Sequence, residues 1–303
     1  MEFTVVVPTL NGRDRLAASL DSLAAHAPDA EVVVVNGPSA DGTTGMVRER
    51  DDVDVLVEIS ARNVNVARNA GVDVAGNDVL AFVGYDHRVE EGWLDAARDE
   101  LAAGADVVTG PLRQTVRGGA TTEEPERRRI ADRDVTYFTG RNVVFRRRVV
   151  DRLDGFDEYL ETGGARDAAH RLAAMDVDVT WAADVAVRRD ADAQADGGRD
   201  DTDLRWKYRS LAYRLAKNYG ARPTVFRRLL AHAGGGAADE LRAVLTGDTT
   251  PTSWVGAGRD VVAGLATGLS DGLVARAKDR STTRNPHGVS DRADRAVAKY
   301  DRR

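Results

Sequence analysis

Four short apolar runs constrain this chain most: FTVVVP (3–8), EVVVV (31–35), VDVLVEI (53–59) and VLAFV (79–83). Each has the length and valine content of one buried strand. Between them lie segments with helical spacing: Leu16, Leu20 and Leu23, a stretch from about Thr44, and Val64–Val74. Strands alternating with helices at this pitch predict βαβ units and a parallel sheet, an α/β fold. Ligands of such sheets bind at the carboxyl ends of the strands. Those ends hold Thr9-Leu10-Asn11, the turn-rich Asn36–Thr43, and Gly84-Tyr85-Asp86, with Arg68 in the helix before the fourth strand.

Beyond Asp86 the pattern predicts a helix over 93–103, a strand over 106–109, and a polar flap with a short helix over 113–134. Strand and helix follow over 135–150, then a helix over 168–175, opened by Gly163–Asp167, and a strand over 177–181. The acidic stretch 190–203 reads as a linker, dividing a domain of 1–200 from a helical region of 201–303. A basic helix is predicted over 204–219, with Leu204, Tyr208, Leu211, Leu215 and Tyr219 on one face and Trp206 and Tyr213 opposite. A second short helix over 226–233 is expected to break at Gly234–Gly236. The last 60 residues read as helical fragments and loops.

The chain has no cysteine and five scattered histidines, so a metal would have oxygen or imidazole ligands. Net charge is −6, yet residues 204–238 carry eight basic residues and no acid, which points to a local anionic partner. Charge alone would admit nucleic acid, but no recognition motif accompanies it, so none is expected. A basic amphipathic helix with Trp and Tyr suits an anionic membrane surface. Docking on the first domain, dimerisation and charge complementarity to the acidic body explain the same helix. No apolar run reaches the ~18 residues of a membrane span, and the start shows no signal peptide. The expected location is therefore cytoplasmic, peripheral on the inner face of the cell membrane.

The strand-end residues suit a nucleotide diphosphate. Asn36 offers donors and an acceptor to a base edge, Arg68 a charge to phosphate, and Asp86 a hard oxygen to Mg2+ or Mn2+. The competing reading makes Asn36 and Asp41 turn and cap residues and pairs Arg68 with a surface acid.

The order PTLN (8–11), EVVVVNGPSADGT (31–43), ARNAG (67–71), FVGYD (82–86), GRN (140–142), GFDE (155–158) and ARDAAHRL (165–172) resembles the inverting nucleotide-sugar glycosyltransferases of family two, which have the GT-A fold. The resemblance covers roughly residues 1–190. It implies that Pro8, Thr9, Leu10 and Asn36 hold the nucleobase, with Asp41 and Arg68 also in the nucleotide site. Asp86 would contact the metal, and Asp167 would be the general base toward the acceptor hydroxyl. Arg166, Asn142 and His170 fall on the substrate side. The chain departs from the family pattern at Gly37, Gly84 and Arg166, where acids are usual. Arg166 suits either an anionic sugar or an ion pair with an acid such as Glu161. Arg113, Arg117 and Arg166 together suggest a sugar carboxylate.

The tail, with RNPHG (284–288) and DRADRAVAKYD (291–301), resembles those of haloarchaeal family-two enzymes of dolichol-linked N-glycan (S-layer glycoprotein) assembly. The implied partners are a UDP- or GDP-sugar and a dolichol-phosphate-linked glycan. The alternatives are a dolichyl-phosphate sugar synthase and a non-catalytic sugar-nucleotide-binding protein.

Overall fold

The computed structural model describes residues 1–115, 124–190, 204–246, 251–281 and 284–303. They fall into two compact units. One comprises residues 1–129, 134–197 and 281–303, the other residues 130–133 and 198–280. The acidic linker lies outside the described residues from 191 to 203. The sequence predicts one boundary near residue 200, and the tail, residues 281–303, groups with the first unit.

The first unit begins with strands β1 (Phe3–Thr9), β2 (Glu31–Asn36), β3 (Val55–Ile59) and β4 (Val79–Val83), alternating with helices α1 (Arg13–His26), α2 (Thr43–Arg48) and α3 (Val64–Val74). All four strands run parallel, in the order β3-β2-β1-β4. β1 and β4 are buried along their whole length, which is why their sequences read as continuous apolar runs rather than alternating ones. Leu16, Leu20 and Leu23 of α1 pack in the same core as Val5, Val7, Ala81 and Val83.

The chain continues through β5 (Arg88–Val89), α4 (Trp93–Ala102), β6 (Val107–Thr109), β7 (Leu112–Thr115), β8 (Arg127–Ile130) and β9 (Arg133–Thr136). Then follow β10 (Asn142–Arg146), α5 (Arg147–Leu153), α6 (Gly164–Ala174), β11 (Val179–Trp181) and β12 (Val187–Asp190). β10 lies antiparallel between β4 and β6, and β11 runs parallel to β6, extending the main sheet. β5, β12 and β7 make a separate three-stranded sheet. Where the sequence predicts a flap with a short helix, β8 and β9 pair instead. Residues 116–123 of that flap lie outside the described residues.

The second unit contains α7 (Leu204–Tyr219), α8 (Pro223–Thr246) and α9 (Pro251–Lys278). Two expectations fail here. α8 runs unbroken through Gly234–Gly236, and the fragments expected after it are one 28-residue helix. A glycine costs a helix only about 1 kcal/mol relative to alanine, which weakens the segment without ending it. Within α9, glycine serves close packing. A Cβ on Gly264, Gly268 or Gly272 would lie 2.3, 2.2 and 2.5 Å from the backbone oxygens of Arg205, Arg209 and Tyr213 of α7. α7 therefore packs closely on α9, while Arg205 and Lys207 in its first turns stay exposed. Tyr213, on the face read as polar, is fully buried, and so is Tyr208 on the face read as apolar.

The chain ends in β13 (Ala296–Asp301), which pairs antiparallel with β3 and covers that edge of the main sheet.

Candidate functional site

In the order β3-β2-β1-β4 the chain leaves β1 on one side and returns on the other. The carboxyl ends of β1 and β4 flank that reversal, the place where open sheets bind ligands. Pro8 and Thr9 end β1 and are buried, while Leu10 is half-buried beyond them. Asn11 takes the left-handed conformation at φ 50°. Its Oδ1 accepts the Ala40 N–H at 2.8 Å, and its own N–H donates to Ser39 Oγ at 2.8 Å. The loops after β1 and β2 are thereby tied together. The Tyr85 ring closes on the same place, with Cε2 2.3 Å from where a Cβ on Gly12 would stand.

Asn36 is buried at the end of β2. Its Oδ1 accepts the Ser39 hydroxyl at 2.7 Å and its Nδ2 donates to Thr44 Oγ1 at 2.9 Å. One N–H and one lone pair remain for a ligand. Asp41 accepts the backbone N–H of Arg13 at 3.0 Å and that of Thr43 at 3.1 Å, capping α1 and α2. Burial raises its pKa, but the Thr43 hydroxyl and these N–H groups outweigh it and lower the net value. The cap reading of Asp41 is the one these bonds describe.

Asn63 caps α3, its side chain accepting the Asn65 N–H at 2.8 Å, and one turn on stands Arg68, buried. Arg68 donates to Asn65 Oδ1 at 2.8 Å and to the Gly140 carbonyl at 3.0 Å, and its plane lies 5.1 Å from the Phe156 ring centroid. Its Nε has no hydrogen-bond partner, and no carboxylate pairs with it among the described residues. The expected alternative, a surface ion pair, is therefore not formed. Burial, and then the charge of Arg141, press its pKa down to about 9, which still leaves it cationic at neutral pH.

Arg141 arrives from the other side. It precedes β10, whose Asn142 lies opposite Val83 of β4, and its carbonyl accepts the Gly84 N–H at 3.0 Å. Its side chain is exposed, and none of the ion pairs among the described residues involves it.

Asp86, two residues beyond Gly84, is half-buried, with its side chain only 6% exposed. His87 Nδ1 lies 2.8 Å from its Oδ1, and Arg189 Nε, from β12, 3.0 Å from its Oδ2. Burial opposes its ionisation. The His87 hydrogen bond and the charges of His87, Arg141 and Arg189 prevail, holding its pKa at about 2. Mg2+ or Mn2+ would find the two oxygens of Asp86 already facing the His87 ring and the Arg189 guanidinium. No group of three or more His, Asp or Glu is placed to hold a metal among the described residues. The space of a second acid is also taken: a Cβ on Gly84 would lie 2.7 Å from His87 Nδ1 and 3.1 Å from the Arg141 stem. As arranged, these residues do not fit a resident divalent ion.

The expected substrate-side residues disperse. Asn142 is fully buried, accepting from Trp93 Nε1 at 3.0 Å and donating to the Val185 carbonyl at 2.7 Å. Its amide is thus spent on the core. Arg166 pairs with Glu126 at 2.7 Å, not Glu161, and lies 4.5 Å from the Tyr137 ring centroid. Arg113 pairs with Glu90, and Arg117 lies outside the described residues. His170 is buried edge-on to Tyr137, its Nε2 3.4 Å from the phenol oxygen.

Asp167 stands in the first turn of α6, fully buried, with the Arg171 guanidinium 3.9 Å away.

Sequence reasoning missed Arg141 and Arg189. Arg141 lies within the GRN motif, but its place beside Gly84 depends on which strand β10 pairs with. Arg189 has no local signal.

Residues 4–154 match the model of glycosyl transferase family 2. The chain is similar to glycosyltransferase AglE of Haloferax volcanii, 26% identical over 198 residues, which make up 60% of this chain and 64% of that protein. It thus spans less than two-thirds of that relative's length. Among solved structures it is similar to the mannosyltransferase PcManGT from Pyrobaculum calidifontis in complex with GDP-Man and Mn2+. That match has a TM-score of 0.55 and 20% identity and covers 89% of this chain and 87% of the other. S. aureus TarS 1–349 in complex with UDP-GlcNAc gives a TM-score of 0.62 and 16% identity over 92% of each chain. At these identities the likeness speaks for the GT-A fold.

Proposed function

Since residues 4–154 belong to glycosyl transferase family 2, we propose that the protein moves a hexose or hexuronic acid from a UDP- or GDP-sugar to a dolichol-phosphate-linked glycan of protein N-glycosylation. One observation carries this reading. Two guanidiniums, Arg68 and Arg141, stand beside the carboxyl end of β4, and neither has a carboxylate partner among the described residues. An anion completes their charge, and the diphosphate of a nucleotide sugar is one that the planar guanidinium fork matches.

The reaction is a single inverting displacement. The acceptor hydroxyl oxygen bonds to the anomeric carbon while Asp167 takes its proton. The bond from that carbon to the diphosphate oxygen breaks, and its electron pair leaves on the diphosphate, where the arginines stabilise it.

The acceptor class rests on the resemblance of the tail, residues 284–301. A deletion strain tests it. The lipid-linked glycans should accumulate one step short, and the missing mass separates hexose from hexuronic acid. Glycans of unchanged mass would sink the assignment. The ion pairs of Arg113 and Arg166 weaken the case for a hexuronic acid.

Attachment to an anionic membrane surface belongs to the same reading, with a different helix in the role. No helix among the described residues is long and apolar enough to cross a membrane. The aromatic side chains Tyr208 and Tyr213 of α7 are buried, but α8 exposes Phe226 at 44% and Leu230 at 71%, one turn apart, with Arg227 exposed between them. Exposed apolar residues among cations are what an interfacial helix offers. The protein should sediment with vesicles containing anionic lipid, and Phe226→Glu with Leu230→Glu should release it. Sedimentation unaltered by that pair of changes would exclude α8.

A further inference from the structure

The cations at the carboxyl end of β4 outnumber the acids, and their arrangement is built into the fold. Arg68 is held from both sides, by Asn65 of its own helix and by the Gly140 carbonyl. A Cβ on Gly140 would lie 2.4 Å from its guanidinium, so the backbone there is shaped around it. Arg141 follows directly, its stem 3.1 Å from where a Cβ on Gly84 would lie, so a side chain there would crowd it. Arg189 and His87 both face Asp86, the carboxylate among them. The charge a divalent ion would bring to this place is thus already present on guanidinium groups.

We infer that Arg68 and Arg141, flanked by Arg189, hold the nucleotide's diphosphate in place of a divalent ion, so that binding does not require a metal. The inference rests on the proposed nucleotide-sugar reaction for the identity of the ligand, but the site itself stands on the placement of the arginines. Glycine at 84 is then the residue that admits the cation, not a defect in a metal motif. The Asp86–Arg189 pair orients one edge of the cluster. Asp86 is consequently a positioning residue here rather than a ligand to an ion.

Calorimetric titration of the full chain with inorganic pyrophosphate, and separately with UDP and GDP, tests this in EDTA and again in Mn2+. In EDTA the wild-type dissociation constant should stay within about three-fold of its value in Mn2+. Arg141→Ala should weaken pyrophosphate by about 10- to 100-fold in both buffers, the range of one charge-assisted interaction. Arg141→Lys should recover part of that loss. Arg141 is exposed, so its replacement leaves the fold intact, which circular dichroism checks. Binding seen only with Mn2+, or Arg141→Ala equal to wild type, would overturn the inference, as would no pyrophosphate binding in either buffer. Pyrophosphate bound in EDTA, with no sugar transferred from any nucleotide sugar, would remove the proposed reaction and leave the site standing.

Discussion

Asp167→Asn is expected to lower sugar transfer by about 100- to 10,000-fold, the usual contribution of a positioned general base. Nucleotide affinity should stay within about two-fold of wild type, because the diphosphate is held at β4 and not at α6. The change preserves size and leaves Oδ1 to accept, but an amide cannot take the acceptor's proton. Single-turnover transfer and calorimetric binding, measured side by side, separate the two effects. Transfer within ten-fold of wild type would place the base elsewhere, or point to an acceptor that is itself ionised, such as a lipid phosphate. The burial of Asp167 adds a kinetic consequence. If the covering side chains must move before each turnover, solvent viscosity should slow the wild type more than the variant, whose chemistry limits it.

Arg295→Ala is expected to cost about 3–5 kcal/mol of stability, the range found when one partner of a buried ion pair is removed. Arg295 is buried in the tail. Its guanidinium meets Asp73 of α3 at 3.0 Å, pairs with Glu158, and donates to the Gly288 carbonyl at 2.6 Å. The tail is fastened a second time by Asp154, whose carboxylate accepts the N–H groups of Asn285 at 3.1 Å and Ser290 at 2.8 Å. Without Arg295, Asp73 loses its guanidinium partner, Glu158 keeps only Arg292 at 3.6 Å and the Asn69 amide at 2.9 Å, and β13 loses the anchor that seats it on β3. Denaturant unfolding monitors this directly. A loss under 1 kcal/mol would mean that the tail is held by β13 alone.

A pH dependence accompanies that loss. Burial raises the Asp73 carboxyl above its ordinary pKa, against the opposing charge of Arg295. A carboxyl with a raised folded pKa contributes stability below its unfolded value of about 4 and loses it as pH rises through the folded value. Removing Arg295 raises that folded value further. The deficit of the variant should therefore narrow as the solution is acidified and Asp73 is protonated.

The first four strands were legible because each is buried on both faces, so an uninterrupted apolar run suffices to mark it. Val79–Val83 and Val64–Val74 were read to the residue. Local patterning failed where a remote partner decides the outcome. Gly234–Gly236 reads as a stop, yet α8 continues through it, since three small propensity costs do not end a helix of 24 residues. Residues 296–301 give no strong strand signal. They are extended because the open edge of β3 needs hydrogen bonds.

The same division runs through the site. The sequence by itself determined that the chain folds as βαβ units with Thr9, Asn36 and Asp86 at strand ends, since period and composition decide those things locally. It also determined that one acid stands where its family resemblance implies two. Only the tertiary structure decided what surrounds that acid. β10 had to lie antiparallel beside β4 to bring Arg141 against Gly84, and β12 had to turn back to set Arg189 on Asp86. Opposite charges far apart in the chain acquire meaning only when folding removes the water between them.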